Sequence, residues 1–391
     1  MWMQVPSAKM NAGSVIVLKN QLKTALPYIP MVAAGAVCGV LVACYAGRAA
    51  EKGFPGGMPG ALLLLFGGLC LAFFLQTAVH EGGHLLFGLL TGYRFCSYRV
   101  GSLMVVRQEG RLRLRRLSVA GTGGQCLMAP PPWSRDLPVA LYNLGGCLLN
   151  LLCAGLCLAL WLPLRQRPVP AALLLSCGLV GLVFALLNGI PMRLGGLDND
   201  GRNALNLRKH PQALHAFWLQ MKVAECQAGG VRLKDMPAEW FLRPESGLED
   251  PLVAAAAVFG CCRLMDELRL EEAARAIGTL LAEKTGMAEL HRSLLTCDLL
   301  CCRLLAGDPK GASALASPRL QRFFRGMKQY PSVLRTRYML ALLLEKDGAA
   351  AERLREQFEK CAAAYPYPQE LTGERALMEL ADRAAREGCI P

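Results

Sequence analysis

Histidine is scarce in this chain, with five in 391 residues. Acidic residues are scarce in its first half, where 6 Asp and Glu stand against 17 Lys and Arg up to Arg202. There is no Cys-x-x-Cys pair among the 17 cysteines, and no Gly-Lys-Ser/Thr follows the glycine-rich stretch Gly121-Thr122-Gly123-Gly124-Gln125. The missing lysine excludes a phosphate loop. An odd number of cysteines, scattered and often inside apolar runs (Cys38, Cys70, Cys153, Cys157, Cys177), excludes the disulfide framework of a secreted domain, so the thiols read as reduced. The adjacent pairs Cys261-Cys262 and Cys301-Cys302 read as packing residues on helices rather than metal ligands. Beyond Arg202 the charges nearly balance, 26 basic against 24 acidic, so the net +13 belongs mainly to the first half. That half is also the apolar one. Its charge fits anionic lipid headgroups better than nucleic acid, which calls for a basic face on a soluble module.

What is abundant is apolar sequence: 53% of the chain is hydrophobic and the mean hydropathy is +0.30. Four runs, about 26–47, 60–93, 137–164 and 170–190, are each long enough to span a bilayer. Lys9, Lys19 and Lys23 precede the first run, which exceeds the usual signal-peptide core of about 7 to 15 residues and so reads as a retained anchor. Leu41-Val42-Ala43-Cys44 has the look of a lipobox by coincidence. The loop between the second and third runs carries Arg94, Arg99, Arg107, Arg111, Arg113, Arg115, Arg116 and Arg135 and is the most basic in the chain. The positive-inside rule makes it cytosolic, and with it both termini of a multi-pass cell-membrane protein.

The second run contains His80-Glu81-Gly82-Gly83-His84. A spacing of four puts both imidazoles on one helical face, within reach of one Zn²⁺, and puts Glu81 where it can take a proton from zinc-bound water. With 5 His and 20 Glu, the string arises by accident in on the order of one such chain in a few hundred. The competing reading makes the histidines helix-packing hydrogen-bonders, but such residues are expensive at membrane depth unless they have a function. Gly82 and Gly83 each weaken a helix by about 1 kcal/mol relative to Ala, which points to a backbone or substrate coming close.

Residues 100–106 and 111–119 read as strands flanking the turn Gln108-Glu109-Gly110, a β-hairpin in which Leu112 and Leu114 alternate with Arg111 and Arg113. The third run holds Asn143, Gly145, Gly146 and Asn150; small residues let helices approach and Asn hydrogen-bonds across them. After the fourth run comes Gly195-Gly196-Leu197-Asp198-Asn199-Asp200-Gly201-Arg202. Two histidines leave a zinc site one protein ligand short, and an Asp oxygen from this segment completes it; alone, the segment would be a helix N-cap loop.

These residues resemble the site-2 proteases, intramembrane zinc metalloproteases, over about residues 60–203. Three motifs in order carry the resemblance. The first is His80-Glu81-Gly82-Gly83-His84. Gly146-Cys147-Leu148-Leu149-Asn150 is similar to the family's Gly-Pro-x-x-Asn, with Cys147 in place of Pro. Asn188-Gly189-Ile190-Pro191 followed by Asp200-Gly201 is similar to its Asn-x-x-Pro…Asp-Gly. The Pro-to-Asp gap is long, which leaves Asp198 as an alternative; Asp200 is chosen because Gly follows it directly. The resemblance implies Zn²⁺ on His80, His84 and Asp200, Glu81 as general base, and Asn150 orienting substrate or stabilising the oxyanion. It also implies a hairpin or re-entrant β element after the metal helix. No PDZ-like insertion is evident. A substrate helix must unwind before attack, and an edge strand of the hairpin is placed to hold it by strand addition.

From Asn203 the sequence turns charged, Ala/Leu/Arg-rich and helical in period. The expected fold is therefore a transmembrane metalloprotease domain of four α-helices and a small β-hairpin (1–202), plus an all-α cytosolic domain (203–391). Helix pairs at 253–284, 288–327 and 335–364, divided near Thr285-Gly286, Tyr330-Pro331 and Tyr365-Pro366, resemble a tetratricopeptide array. His210, His215 and His291 read as surface or packing residues. The function expected is a zinc endopeptidase cleaving membrane-anchored regulatory proteins in or near their spans, with a cytosolic protein partner at 203–391 and no nucleic acid. The alternative is a catalytically inactive membrane scaffold. A transporter is disfavoured because no inverted repeat matches the broken helices.

Overall fold

The apolar runs fold as helices because their prolines fall in first turns or, as Pro163 does, close to an end, leaving the interior backbone hydrogen bonds intact. In the computed structural model, which describes residues 29–108, 110–117, 122–194 and 197–387, they form α1 (Ile29–Glu51), α2 (Gly57–Leu90), α3 (Val139–Leu164) and α4 (Pro168–Gly189). Lys9, Lys19 and Lys23, residues 26–28 of the first run, Glu109, residues 118–121 and Gly195-Gly196 lie outside the described residues. Among those described, α2, α3 and α4 are long and apolar enough to cross a membrane. Four spans were expected; α1 covers the first run and packs Tyr45, Ala46 and Ala49 against Ala61 and Leu65 of α2 and Ala171 and Ala172 of α4. The burial pattern inverts that of a water-soluble bundle. Leu63, Phe66 and Leu152 point outward, while Gln76, Asn143 and Asn150 are buried, as expected where the surroundings are hydrocarbon.

Helices α2 and α3 meet at glycines. A Cβ on Gly83 would lie 2.2 Å from the Gly145 carbonyl oxygen, and one on Gly146 would lie 2.5 Å from the His80 ring. Of the two glycines between the histidines, only Gly83 is needed for this approach; a Cβ on Gly82 would make ordinary contact with Leu149.

The loop after α2 is a four-stranded antiparallel sheet, larger than the expected hairpin. Its strands are β1 (Arg94–Val100), β2 (Leu103–Gln108), β3 (Arg111–Arg116) and β4 (Gly124–Ala129), in the order β3-β2-β1-β4. The expected hairpin is β2–β3, with Val105 opposite Leu114. The strand expected from residue 100 begins at Leu103 because Gly101, at φ +60°, turns β1 into β2. Met104 and Val106 are buried with Cys96, Ala129 and Ala228, while Leu103, Leu112 and Leu114 on the opposite face are exposed. Arg99, one of the cations that make this loop the most basic in the chain, is 1% exposed. Its guanidinium donates to the carbonyls of Gly101 and Gly124 and to Thr122 Oγ1, tying β1 to the start of β4.

Beyond the apolar helices, β5 (Arg193–Leu194) and β6 (Leu197–Asp198) form a two-residue ladder leading into α5 (Asp200–Asn206). Helix α6 (Pro211–Ala228) sets Phe217, Trp218 and Met221 in one core with Tyr93, Met128 and Tyr142. The first long helix after residue 202 thus packs on the sheet. Then come α7 (Pro251–Asp266), α8 (Leu270–Ala282), α9 (Glu289–Leu305), α10 (Pro309–Leu315), α11 (Pro318–Gly326), α12 (Pro331–Met339, continued by a π turn to Leu344), α13 (Gly348–Ala364) and α14 (Pro368–Glu387). The breaks fall at the three expected dividers. Successive first helices α7, α9, α12 and α14 contact one another in turn, and the second pair is split where Ser317 caps α11.

Candidate metal centre

His80 and His84 lie one turn apart on α2, and α5 brings Asp200 to them. Asp200 Oδ2 is 3.1 Å from His80 Nε2 and 3.4 Å from His84 Nε2, and the two Nε2 atoms are 3.3 Å apart. A tetrahedral ion with bonds of about 2.0–2.1 Å has ligand–ligand edges of about 3.3 Å. The triangle therefore has the dimensions of a metal face, and these three residues form a group able to hold a metal ion.

The hydrogen bonds fix what the triangle offers. His84 Nδ1 donates to the backbone carbonyl of Tyr142 at 2.8 Å. Asn150 Nδ2 donates to the Gln76 carbonyl and Gln76 Oε1, so Asn150 Oδ1 must be the atom facing His80 Nδ1 at 2.8 Å, and Nδ1 donates. Both neutral rings thus present bare Nε2 lone pairs to a carboxylate. In that tautomer three acceptors meet, an arrangement that a proton or a metal ion between them relieves.

Asp200 reaches this point because Gly201 permits it: a Cβ there would be 2.0 Å from the Gly189 carbonyl oxygen. Asn199 caps α5, accepting from Arg202 N, and its amide donates to the Leu187 and Ile190 carbonyls. The capping and ligand readings of this segment hold together. Asp198 faces away and is paired with Arg193 and Arg202. Glu81 is buried, yet makes no hydrogen bond or ion pair among the described residues. The start of β4 lies against it: a Cβ on Gly124 would be 2.6 Å from Glu81 Oε1.

Gln76 was missed from sequence, although a polar amide one turn before His80 in an apolar run is itself a signal. It is wholly buried, and Gly181 leaves the space for it. Its Nε2 donates to the Cys177 carbonyl and faces the sulfurs of Cys153 and Cys177. Those two thiols and Cys157 have their sulfurs within 4.8 Å of one another, a second group able to hold a metal ion, formed by residues that sequence scattered through two runs. His215 packs against Trp133 and Trp218 and His291 is half-buried in the helical array; neither joins the centre. Comparison with protein-family models, with curated proteins and with solved structures finds no match for this chain.

Proposed function

We propose that this protein is an intramembrane zinc endopeptidase of the site-2 protease type. The observation that carries the reading is the convergence of two imidazole lone pairs and one carboxylate inside a bundle of apolar helices, with an unpartnered Glu81 beside them. Two nitrogens and one oxygen match a catalytic zinc site, in which the fourth position is left for water or substrate. When bound, Zn²⁺ supplies Lewis-acid polarisation of the scissile carbonyl and lowers the pKa of water towards 7.

The chain's own residues do the rest. Glu81 accepts the proton of the attacking water and returns it to the leaving amine. Asn150 holds His80 in one tautomer; with its amide groups engaged by His80 and Gln76, we read it as a positioning residue rather than an oxyanion donor. Strand β4 is an edge of the sheet and begins against Glu81, so an unwound substrate segment laid along it by strand addition would pass the carboxylate. With α1 as a fourth crossing, we place both termini in the cytosol and assign 203–391 a tetratricopeptide-like docking role for a protein partner.

The test is cleavage of a tagged single-span reporter in membranes, together with zinc content. Wild type is expected to cut, Glu81→Gln to retain zinc and not cut, and His80→Ala to lose both. Equal processing by wild type and Glu81→Gln would leave the catalytically inactive scaffold as the better account.

A further inference from the structure

The helical domain pairs its buried and half-buried cations with care. Arg335 is held by Asp298 and Glu374, Arg355 by Asp382, Arg232 by Asp266 and Arg263 by Glu267. Its exposed cations are paired less consistently, and one cluster of them lies around a concavity. A groove of about 940 Å³ between the sheet and helices α11, α12 and α13 is lined by Arg116, Arg325, Lys328, Arg337 and Lys360, and no carboxylate lines it. None of the five makes an ion pair or side-chain hydrogen bond among the described residues. Five like charges around one concavity repel one another, an arrangement that an anionic occupant relieves.

The rest of the lining narrows the occupant. The floor is apolar, with Leu117, Phe324 and Leu334, and the amides of Gln321, Gln329 and Gln357 stand around it. Apolar floor, amides that can bond a main chain, and cations at several points suit an extended peptide carrying Asp and Glu better than a lone phosphate. The groove also opens at the end of the sheet nearest Glu81. Ser102 and Arg116 line it, Arg116 pairs with Leu103, Leu103 with Val100, and Val100 with Gly124, the residue against Glu81.

We propose that this groove binds an acidic segment flanking the membrane span of the protein substrate, and so selects substrates by the charge of that flank. The proposal rests on the peptidase reading for the identity of the occupant, though not for the binding itself. Cytosolic flanks are ordinarily enriched in Lys and Arg, so an acidic one is a discriminating feature. Basic flanks would be repelled by the same five charges.

The experiment uses the full chain in detergent, as Glu81→Gln so that nothing is cut, and reads fluorescence anisotropy of a labelled Asp/Glu-rich peptide, its Asn/Gln counterpart and a Lys-rich one. The acidic peptide is expected to bind at least tenfold more tightly than the neutral one and to weaken with added salt. Exposed Arg325, Lys328 and Lys360 reversed together to Glu should lose that binding and gain the Lys-rich peptide, with thermal unfolding unchanged. Equal binding of acidic and neutral peptides, or an unchanged affinity after reversal, overturns the proposal. So does a reversal that abolishes binding of phosphatidylglycerol vesicles, or of a nucleoside triphosphate, while peptide binding is absent throughout. Because no arm measures hydrolysis, failure here is distinct from failure of the reporter assay.

Discussion

Asn150 and Gln76 separate two meanings of a buried amide. Neither can touch a substrate while both are engaged with each other, yet through Asn150 the pair fixes which nitrogen of His80 is bare. Removing such an outer partner typically costs 10- to 100-fold in metal affinity. Asn150→Ala and Gln76→Leu are therefore expected to raise the zinc dissociation constant by about that factor, measured by competition with a chromophoric chelator. Asn150→Asp, which keeps an oxygen facing Nδ1, should restore part of the loss. Gly83 tests packing instead. Alanine there puts a methyl 2.2 Å from the Gly145 carbonyl oxygen, and two helix backbones cannot yield as a side-chain tip does, so Gly83→Ala should destabilise by about 3 kcal/mol or more. Gly82→Ala, whose methyl would make ordinary contact with Leu149, should be near neutral or slightly stabilising by thermal unfolding.

Strand β4 packs along helix α2, with Met128 near its end against Gly88 and Gly124 at its start against Glu81. A methyl added there lies 2.6 Å from the carboxylate, and the carboxylate is the part able to move. Gly124→Ala should thus lower kcat by at least tenfold while zinc content and helix content stay at wild-type values. A strand that merely decorated the bundle would show no such split. In the helical array the informative contact is at α14. Burial pushes the Glu370 carboxyl up to about 7, against the hydrogen bond from Tyr365. The folded chain then keeps a proton that the unfolded chain has released above about 4.5. The contribution to stability is full below that pH, falls as pH rises, and is lost above about 7. Glu374, also raised by burial, adds a slope of the same sign. Glu370→Gln should flatten, without abolishing, the decline in thermal midpoint between pH 5 and 7.

For the molecule as a whole, the sheet joins the two halves. Helix α6 covers the sheet on one side with Phe217, Trp218 and Met221, and Gln108 donates to the Pro366 carbonyl of the helical array. A chain ended at residue 202 would strip α6 from Tyr93, Met128 and Tyr142, and it should lose protease resistance across β1–β4 even where the apolar helices persist. The candidate metal-binding histidines, the turn of helix separating them and the breaks between helix pairs were readable in sequence, because each depends on spacing within one stretch: four residues between His80 and His84, a divider such as Tyr330-Pro331 between helices. Four things were not. Strands β1 and β4 pair only through contacts distant in sequence. Arg99 could not be told from its basic neighbours, because its partners are two carbonyls, which every residue has, and a hydroxyl. The cation groove and the cysteine trio draw on separate elements, so no local pattern marks them. Sequence by itself determined that two imidazoles share one helical face and which segments are apolar enough to lie in lipid, since those follow from spacing and apolar length. The choice of Asp200 over Asp198, and Glu81 standing unpaired beside Gly124, were decided by tertiary structure, where glycines let backbones close to contact and bring residues 120 positions apart to one point.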